Sequence, residues 1–167
     1  MTEKSGFKNQ EQKEQIIDAK TLTGQELFDL IYSNESEPQD DRFLGSDDGG
    51  VFKYFRIENL INIHKKRENF FYPVIRVDDK IVALCEMEKS PYEENLYWIT
   101  GVSTDPAYQG KGYASHVLEE TFRFARERGF DLEASTYTDE GSQKLKSVCR
   151  KLAIQYGVEF REQPVRY

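Results

Sequence analysis

Apolar positions along this chain recur at two spacings, and each spacing predicts a different element. Phe70 to Val77 and Ile81 to Glu88 are runs rich in β-branched and aromatic residues, separated by the polar turn Asp78-Asp79-Lys80. They predict an antiparallel hairpin, with Pro73 disturbing the pairing of its first strand near the start. In the second run Ile81, Ala83, Cys85 and Met87 alternate with Val82, Leu84, Glu86 and Glu88. Both sets begin apolar, which predicts a sheet covered by helices on its two faces. Leu96 to Ser103 reads as a third strand, broken by Asp105-Pro106. The period then changes. Ala114, Val117, Leu118, Thr121, Phe122 and Ala125 share one helical face, Glu119, Glu120, Arg123, Arg126 and Glu127 the other, and Gly129 stops the helix. Phe130 to Tyr137 alternates again as a strand. A last helix, capped by Thr138 and closed by Gly157, carries Leu145, Val148, Cys149, Leu152, Ala153 and Tyr156 on its apolar face, and Val158-Glu159-Phe160 is a final short strand.

The N-terminal part is less regular. Residues 1–12 read as a flexible tail and Gln15 to Ala19 as a short first strand. Thr23 and Glu26 have the spacing of a capping box, for a helix bearing Leu27, Leu30 and Ile31. Ser33 to Gly50 is an acidic loop full of turn formers. Ile57, Leu60, Ile61 and His64 suggest a short second helix ending near Lys65-Lys66-Arg67, with His64 a helix-face residue rather than a catalyst. The element order predicts an α/β fold: a mixed, mostly antiparallel sheet flanked by helices on both faces, in which the strand–helix–strand unit from 96 to 137 forms a parallel pair. A chain of 167 residues fits a single domain spanning 1–167.

Composition narrows the functions. Hydrophobic residues make up 38%, charged ones 32%, and the net charge is −7. That balance suits a folded domain and argues against nucleic acid as a partner, since phosphate contacts need clustered Lys and Arg. The longest apolar runs, such as Ile81 to Cys85, fall far short of the ~20 residues of a membrane helix, and no signal peptide follows Met1. A cytoplasmic protein with no membrane partner is expected. Cys85 and Cys149 each lie in an apolar pattern, and with His64 and His116 the only histidines no metal is expected.

The chemistry concentrates at Gln109-Gly110-Lys111-Gly112-Tyr113-Ala114, where the strand before Asp105 gives way to the central helix. The first N–H groups of a helix lack internal partners and the dipole there is positive, while glycines let phosphate oxygens approach the main chain. Lys111 adds a cation. The spacing is neither that of a Walker loop nor that of the three-glycine dinucleotide fingerprint. It resembles the Gln/Arg-x-x-Gly-x-Gly/Ala signature of the GCN5-related N-acetyltransferase superfamily, and the resemblance extends over residues 70 to 160.

That resemblance implies acetyl coenzyme A as co-substrate, held in a cleft between two splayed strands, those ending near Ser103 and Tyr137. It implies that a main-chain N–H near Val102, Ser103 and Thr104 polarises the thioester carbonyl, that the pyrophosphate meets the amides of Gly110 to Ala114, and that the coenzyme binds across Gln109, Gly110, Lys111, Gly112, Tyr113, Ala114 and Ser115. The acceptor would be a primary amine of a small molecule or peptide, its site rimmed by the acidic loop 33–50, with attack in a ternary complex. Direct transfer needs a base for the amine and a proton for the departing thiolate. Glu86, with Val82 and Leu84 on its face, is the candidate base, because partial burial raises a carboxyl's pKa; Glu88 is the alternative. The superfamily often places an acidic tyrosine in a Leu-Tyr-x-Lys-Leu-like run. The matching run here is Val148-Cys149-Arg150-Lys151-Leu152, so Cys149 stands where the tyrosine would be. A thiol of unperturbed pKa ~8.5 can donate a proton, yet the helix pattern equally makes Cys149 a core residue. Tyr156 and Tyr137 are possible substitutes. A non-catalytic acyl-coenzyme A sensor and a nucleotide-binding α/β domain remain as alternatives, and oligomeric state, a homodimer included, stays open.

Overall fold

The computed structural model describes residues 15–31, 67–134 and 139–162. The expected tail, the acidic loop 33–50, the short second helix with His64, and Tyr137 lie outside the described residues. Six strands form one sheet in chain order: β1 (Ile17–Thr23), β2 (Phe70–Val77), β3 (Lys80–Lys89), β4 (Leu96–Thr104), β5 (Asp131–Ala134) and β6 (Phe160–Glu162). Neighbours from β1 to β4 are antiparallel; β4–β5 and β5–β6 are parallel, each joined by a helix. These helices are α2 (Tyr113–Arg128) and α3 (Asp139–Tyr156), while α1 (Gly24–Ile31) follows β1. The mixed α/β sheet is the one the periodicities predict.

Local signals explain most boundaries. The Thr23–Glu26 capping box is made in both directions: the Glu26 N–H donates to Thr23 Oγ1 at 3.1 Å and the Thr23 N–H donates to Glu26 Oε1 at 3.3 Å. Asp78 and Asp79 turn the β2–β3 hairpin with φ of 50° and 67°, the left-handed pair that matches strand twist. Gly129, at φ 72°, ends α2. β1 runs further than expected, to Thr23, and β6 begins later, at Phe160.

Two apolar clusters cover the two faces. Leu22, Leu27, Tyr72, Val74, Ile81 and Leu84 pack on the α1 side, and a larger cluster including Val82, Cys85, Ile99, Leu118, Phe122 and Cys149 packs under α2 and α3. Each large aliphatic or aromatic side chain buried here contributes about 1.5–3 kcal/mol. The expected alternation of β3 needs one correction. Register shifts between Ile75 and Arg76, so that Ile75 faces Ala83 and Arg76 faces Ile81. Val82 is the extra residue of a bulge, joins the α2 side with Cys85, and leaves Ile81 with Leu84 on the other face. Pro73 only interrupts the β2–β3 ladder locally. A second correction concerns α2: Glu120, expected on its polar face, is 3% exposed, accepting from Thr21 Oγ1 at 3.0 Å and pairing with Arg123.

Candidate active site

The end of β4 is fastened before the chain turns. Asp105, 3% exposed, donates its N–H to the Val82 carbonyl at 2.8 Å, while its carboxylate accepts from the Ala107 N–H at 3.0 Å and lies 3.0 Å from Lys80 Nζ. Pro106 then starts a single 3-10 turn to Tyr108. Gly110 and Gly112 follow at φ 78° and 84°, a region that side chains with a Cβ enter at a cost of roughly 1–2 kcal/mol. Gly112 is the N-cap of α2, and no side chain caps its first turn. The helix therefore starts with amide N–H groups uncovered and its positive end exposed.

A cavity of about 300 Å³ lies over that helix start. All the residues expected at the coenzyme line it except Lys111: Val102, Ser103 and Thr104 from β4, then Gln109, Gly110, Gly112, Tyr113, Ala114 and Ser115. Lys111 stands at its side, with Nζ 5.3 Å from the ring centroid of Tyr108. Tyr108 and Leu145 complete the lining and were not expected. Tyr108 carries no sequence signal beyond following Asp105-Pro106, and Leu145 comes from α3, thirty residues on.

β4 is longer here than its described pairing with β5. Its parallel pairing with β5 runs from Leu96↔Asp131 to Ile99↔Ala134, whereas β4 continues to Thr104. The described β4–β5 pairs thus end at Ile99. On its other side β4 stays paired with β3, and there a second bulge occurs: Met87 faces Ile99 and Glu86 faces Gly101, which makes Thr100 the extra residue. Glu86 therefore sits across from the strand position next to Val102, where the cavity begins.

Glu86 shares its face with Leu84 and Tyr72 rather than with Val82, which the β3 bulge has turned away. Tyr72 donates its phenol to Glu86 Oε2 at 3.0 Å and Thr100 donates its hydroxyl to Glu86 Oε1 at 2.6 Å. Burial pushes the Glu86 carboxyl above its ordinary range, the Thr100 and Tyr72 hydrogen bonds pull it back, and the charge of Glu88 adds to the rise. The Tyr72 phenol is pushed far up, first by burial and then by the neighbouring Glu86. It stays a donor at any ordinary pH. Sequence reasoning missed both hydroxyls. The isolated Gly101 inside an apolar strand was the one available sign of a bulge.

Neither remaining acid candidate reaches the cavity. Cys149 is fully buried between the sheet and α3, where burial pushes its thiol up to about 12. It packs; it does not line the coenzyme cavity. The Tyr156 hydroxyl donates to Glu119 at 2.8 Å and lines a separate cavity beside β1.

A model of the acetyltransferase (GNAT) family matches residues 26–148. The chain belongs to that family. Solved structures of GNAT proteins share the fold. One is an aminoglycoside acetyltransferase from an uncultured soil metagenomic sample, in complex with sisomicin (TM-score 0.54, 20% identity, covering 90% of this chain and 93% of that one). Another is the ribosomal-protein-S18-alanine N-acetyltransferase from Escherichia coli (TM-score 0.53, 12% identity, covering 82% and 76%). A third is an IAA acetyltransferase from Bacillus cereus (TM-score 0.51, 10% identity, covering 81% and 75%). No curated protein sequence matches the chain.

GNAT proteins use acetyl coenzyme A, and the cavity fits such a group. A Cβ built on Gly110 or Gly112 meets no atom within 4 Å, so open space lies directly over main chain whose N–H groups are uncapped. Among the described residues no helix is long and apolar enough to cross a membrane, and no group of three His, Cys, Asp or Glu side chains is placed to hold a metal ion.

Proposed function

We propose that this GNAT acetyltransferase moves an acetyl group from acetyl coenzyme A to a primary amine of a small molecule or peptide within a ternary complex. The observation that carries the reading is the position of Glu86, opposite Gly101 of β4, whose next residues, Val102 to Thr104, line the cavity. Val102 packs toward α2 while Glu86 lies on the α1 face, so coenzyme and amine approach this part of β4 from its two faces.

Acetyl coenzyme A, when bound, supplies an activated thioester: a carbon–nitrogen bond to the amine forms as the carbon–sulfur bond breaks. The chain's residues do the rest. Amides of Gly110 and Gly112 to Ser115 hold the pyrophosphate, and main chain at Val102 to Thr104 orients the carbonyl. Glu86 removes the proton that a cationic amine must lose before attack, and the rise that burial gives its pKa increases its affinity for that proton. After attack the departing thiolate takes its proton through water from the acetylated nitrogen, and the proton held by Glu86 returns to solvent, with Cys149 taking no part. A cationic acceptor also agrees with the net charge of −7 and the acidic segment 33–50.

The test has two stages. Calorimetry with acetyl coenzyme A should give saturable binding. Thiol release should then rise when amines are offered: aminoglycosides, polyamines, and peptides with N-terminal alanine or internal lysine. Salt should raise the KM of the responding amine more than that of the coenzyme. Binding with no amine-dependent release across the panel would make the chain a coenzyme-binding module instead.

A further inference from the structure

We infer that Tyr72 and Thr100 are positioning residues for Glu86, two hydroxyls brought from the strands on either side that hold the carboxylate in place opposite Gly101 of β4. The inference rests on Glu86 as the base.

The geometry is specific. Glu86 is on β3, Tyr72 on β2 and Thr100 on β4, and each hydroxyl takes a different carboxylate oxygen. Tyr72 is fully buried, so its phenol is fixed by packing before it meets Glu86. Thr100 reaches Glu86 because of the bulge. With Glu86 facing Gly101 and Met87 facing Ile99, both Thr100 and Gly101 oppose the same glutamate. One supplies the hydroxyl and the other has no side chain. A bulge that re-aims one side chain beside a reacting centre is a common device.

The donors are uncharged, and this decides what they do. No ion pair reaches Glu86 among the described residues, whose salt bridges all involve other carboxylates. Among the described residues the groups that face it are the Tyr72 phenol from β2, the Glu88 carboxylate from its own strand and the non-titrating Thr100 from β4; the buried Cys85 thiol lies behind, on the opposite face. A guanidinium here would lock the carboxylate in its ionised form. Two hydroxyls favour that form more gently, each leaving lone pairs on the carboxylate for an incoming ammonium. The pair therefore keeps a buried base ionisable without removing its affinity for a proton.

The experiment follows the Glu86 carboxyl carbon directly by NMR in protein with 13C-labelled glutamate, the resonance being assigned from its loss in Glu86→Gln. Tyr72→Phe and Thr100→Val should each raise the Glu86 titration midpoint by about one pH unit, a tenfold change in proton affinity. Thr100→Ser, which keeps the hydroxyl, should restore the original midpoint. Near-UV circular dichroism confirms that each variant is folded, and Thr100, only partly buried, keeps the test available should Tyr72→Phe fail. Unmoved midpoints in folded variants would overturn the inference. The pH dependence of kcat/KM with the responding amine separates the two claims. An acid limb that moves with the midpoint upholds both. A midpoint that moves under a stationary limb upholds the hydroxyl pair and overturns Glu86 as the base.

Discussion

The coenzyme loop and the Glu86 centre meet at the same end of β4, yet they are built from different materials. The loop is main chain: consecutive residues, largely exposed, made by two left-handed glycines and a helix with no side-chain cap. The Glu86 centre is side chain: three groups from three strands, half-buried around a fully buried Tyr72, each partner fourteen residues from the glutamate. One works because N–H groups are left uncovered and water has access. The other is proposed to work because the partial desolvation of a half-buried carboxylate is offset by two hydroxyls. Damage to the loop should therefore appear in coenzyme affinity, and damage to the centre in turnover and pH dependence.

The largest expected effect falls on the buried centre. Glu86→Gln should lower kcat by roughly 10²–10⁴, the usual contribution of a positioned acid or base, and leave the coenzyme Kd unchanged in calorimetry. The same substitution should stabilise the protein at neutral pH. The folded-state pKa of Glu86 is raised, so neutral Glu86 is the form the fold prefers, and its contribution to stability is lost as pH rises through the folded value. Denaturant midpoints should then agree between variant and wild type below the ordinary carboxylate range and diverge in favour of Glu86→Gln above it. A loss of stability at pH 8 would contradict the burial argument.

The loop comes next. Gly112→Val should weaken acetyl coenzyme A at least tenfold, about 1.4 kcal/mol, because a β-branched residue resists φ 84° and its side chain enters the space over the amides. Gly112→Asn, which tolerates that φ far better, should recover part of the loss if strain contributes. Equal losses for both would assign the effect to the side chain alone.

Smaller still is Cys149→Ala, expected to cost ~1 kcal/mol in chemical denaturation while leaving kcat intact, since the thiol is packed in the core. A large kcat loss in the folded variant would give Cys149 a chemical role after all. Least of all is Lys111→Ala. Its ammonium is exposed and outside the cavity lining, so coenzyme affinity should fall by less than about 1 kcal/mol.

The same division explains what the sequence made legible. The faces of α2 and α3, the stops at Gly129 and Gly157 and the Thr23–Glu26 box depend on residues within a turn or two of each other, so spacing alone identifies them. The loop is legible for the same reason. Glu120 reads as a solvent residue because its burial depends on Thr21, 99 residues away. Tyr72 and Thr100 read as ordinary strand residues because their role depends on a register that no local pattern encodes, and in β4 on a bulge. Val82 was placed on the wrong face for that reason too: strict alternation has no room for one extra residue.

Coenzyme recognition by the main chain of the loop is tested most directly by amide NMR during an acetyl coenzyme A titration. With uniformly 15N-labelled protein, the resonances of Gly110 and of Gly112 to Ser115 should show the largest shifts and saturate together at the calorimetric Kd. Saturation with those amides unmoved, and the shifts gathered instead around β1 and Tyr156 at the second cavity, would contradict it.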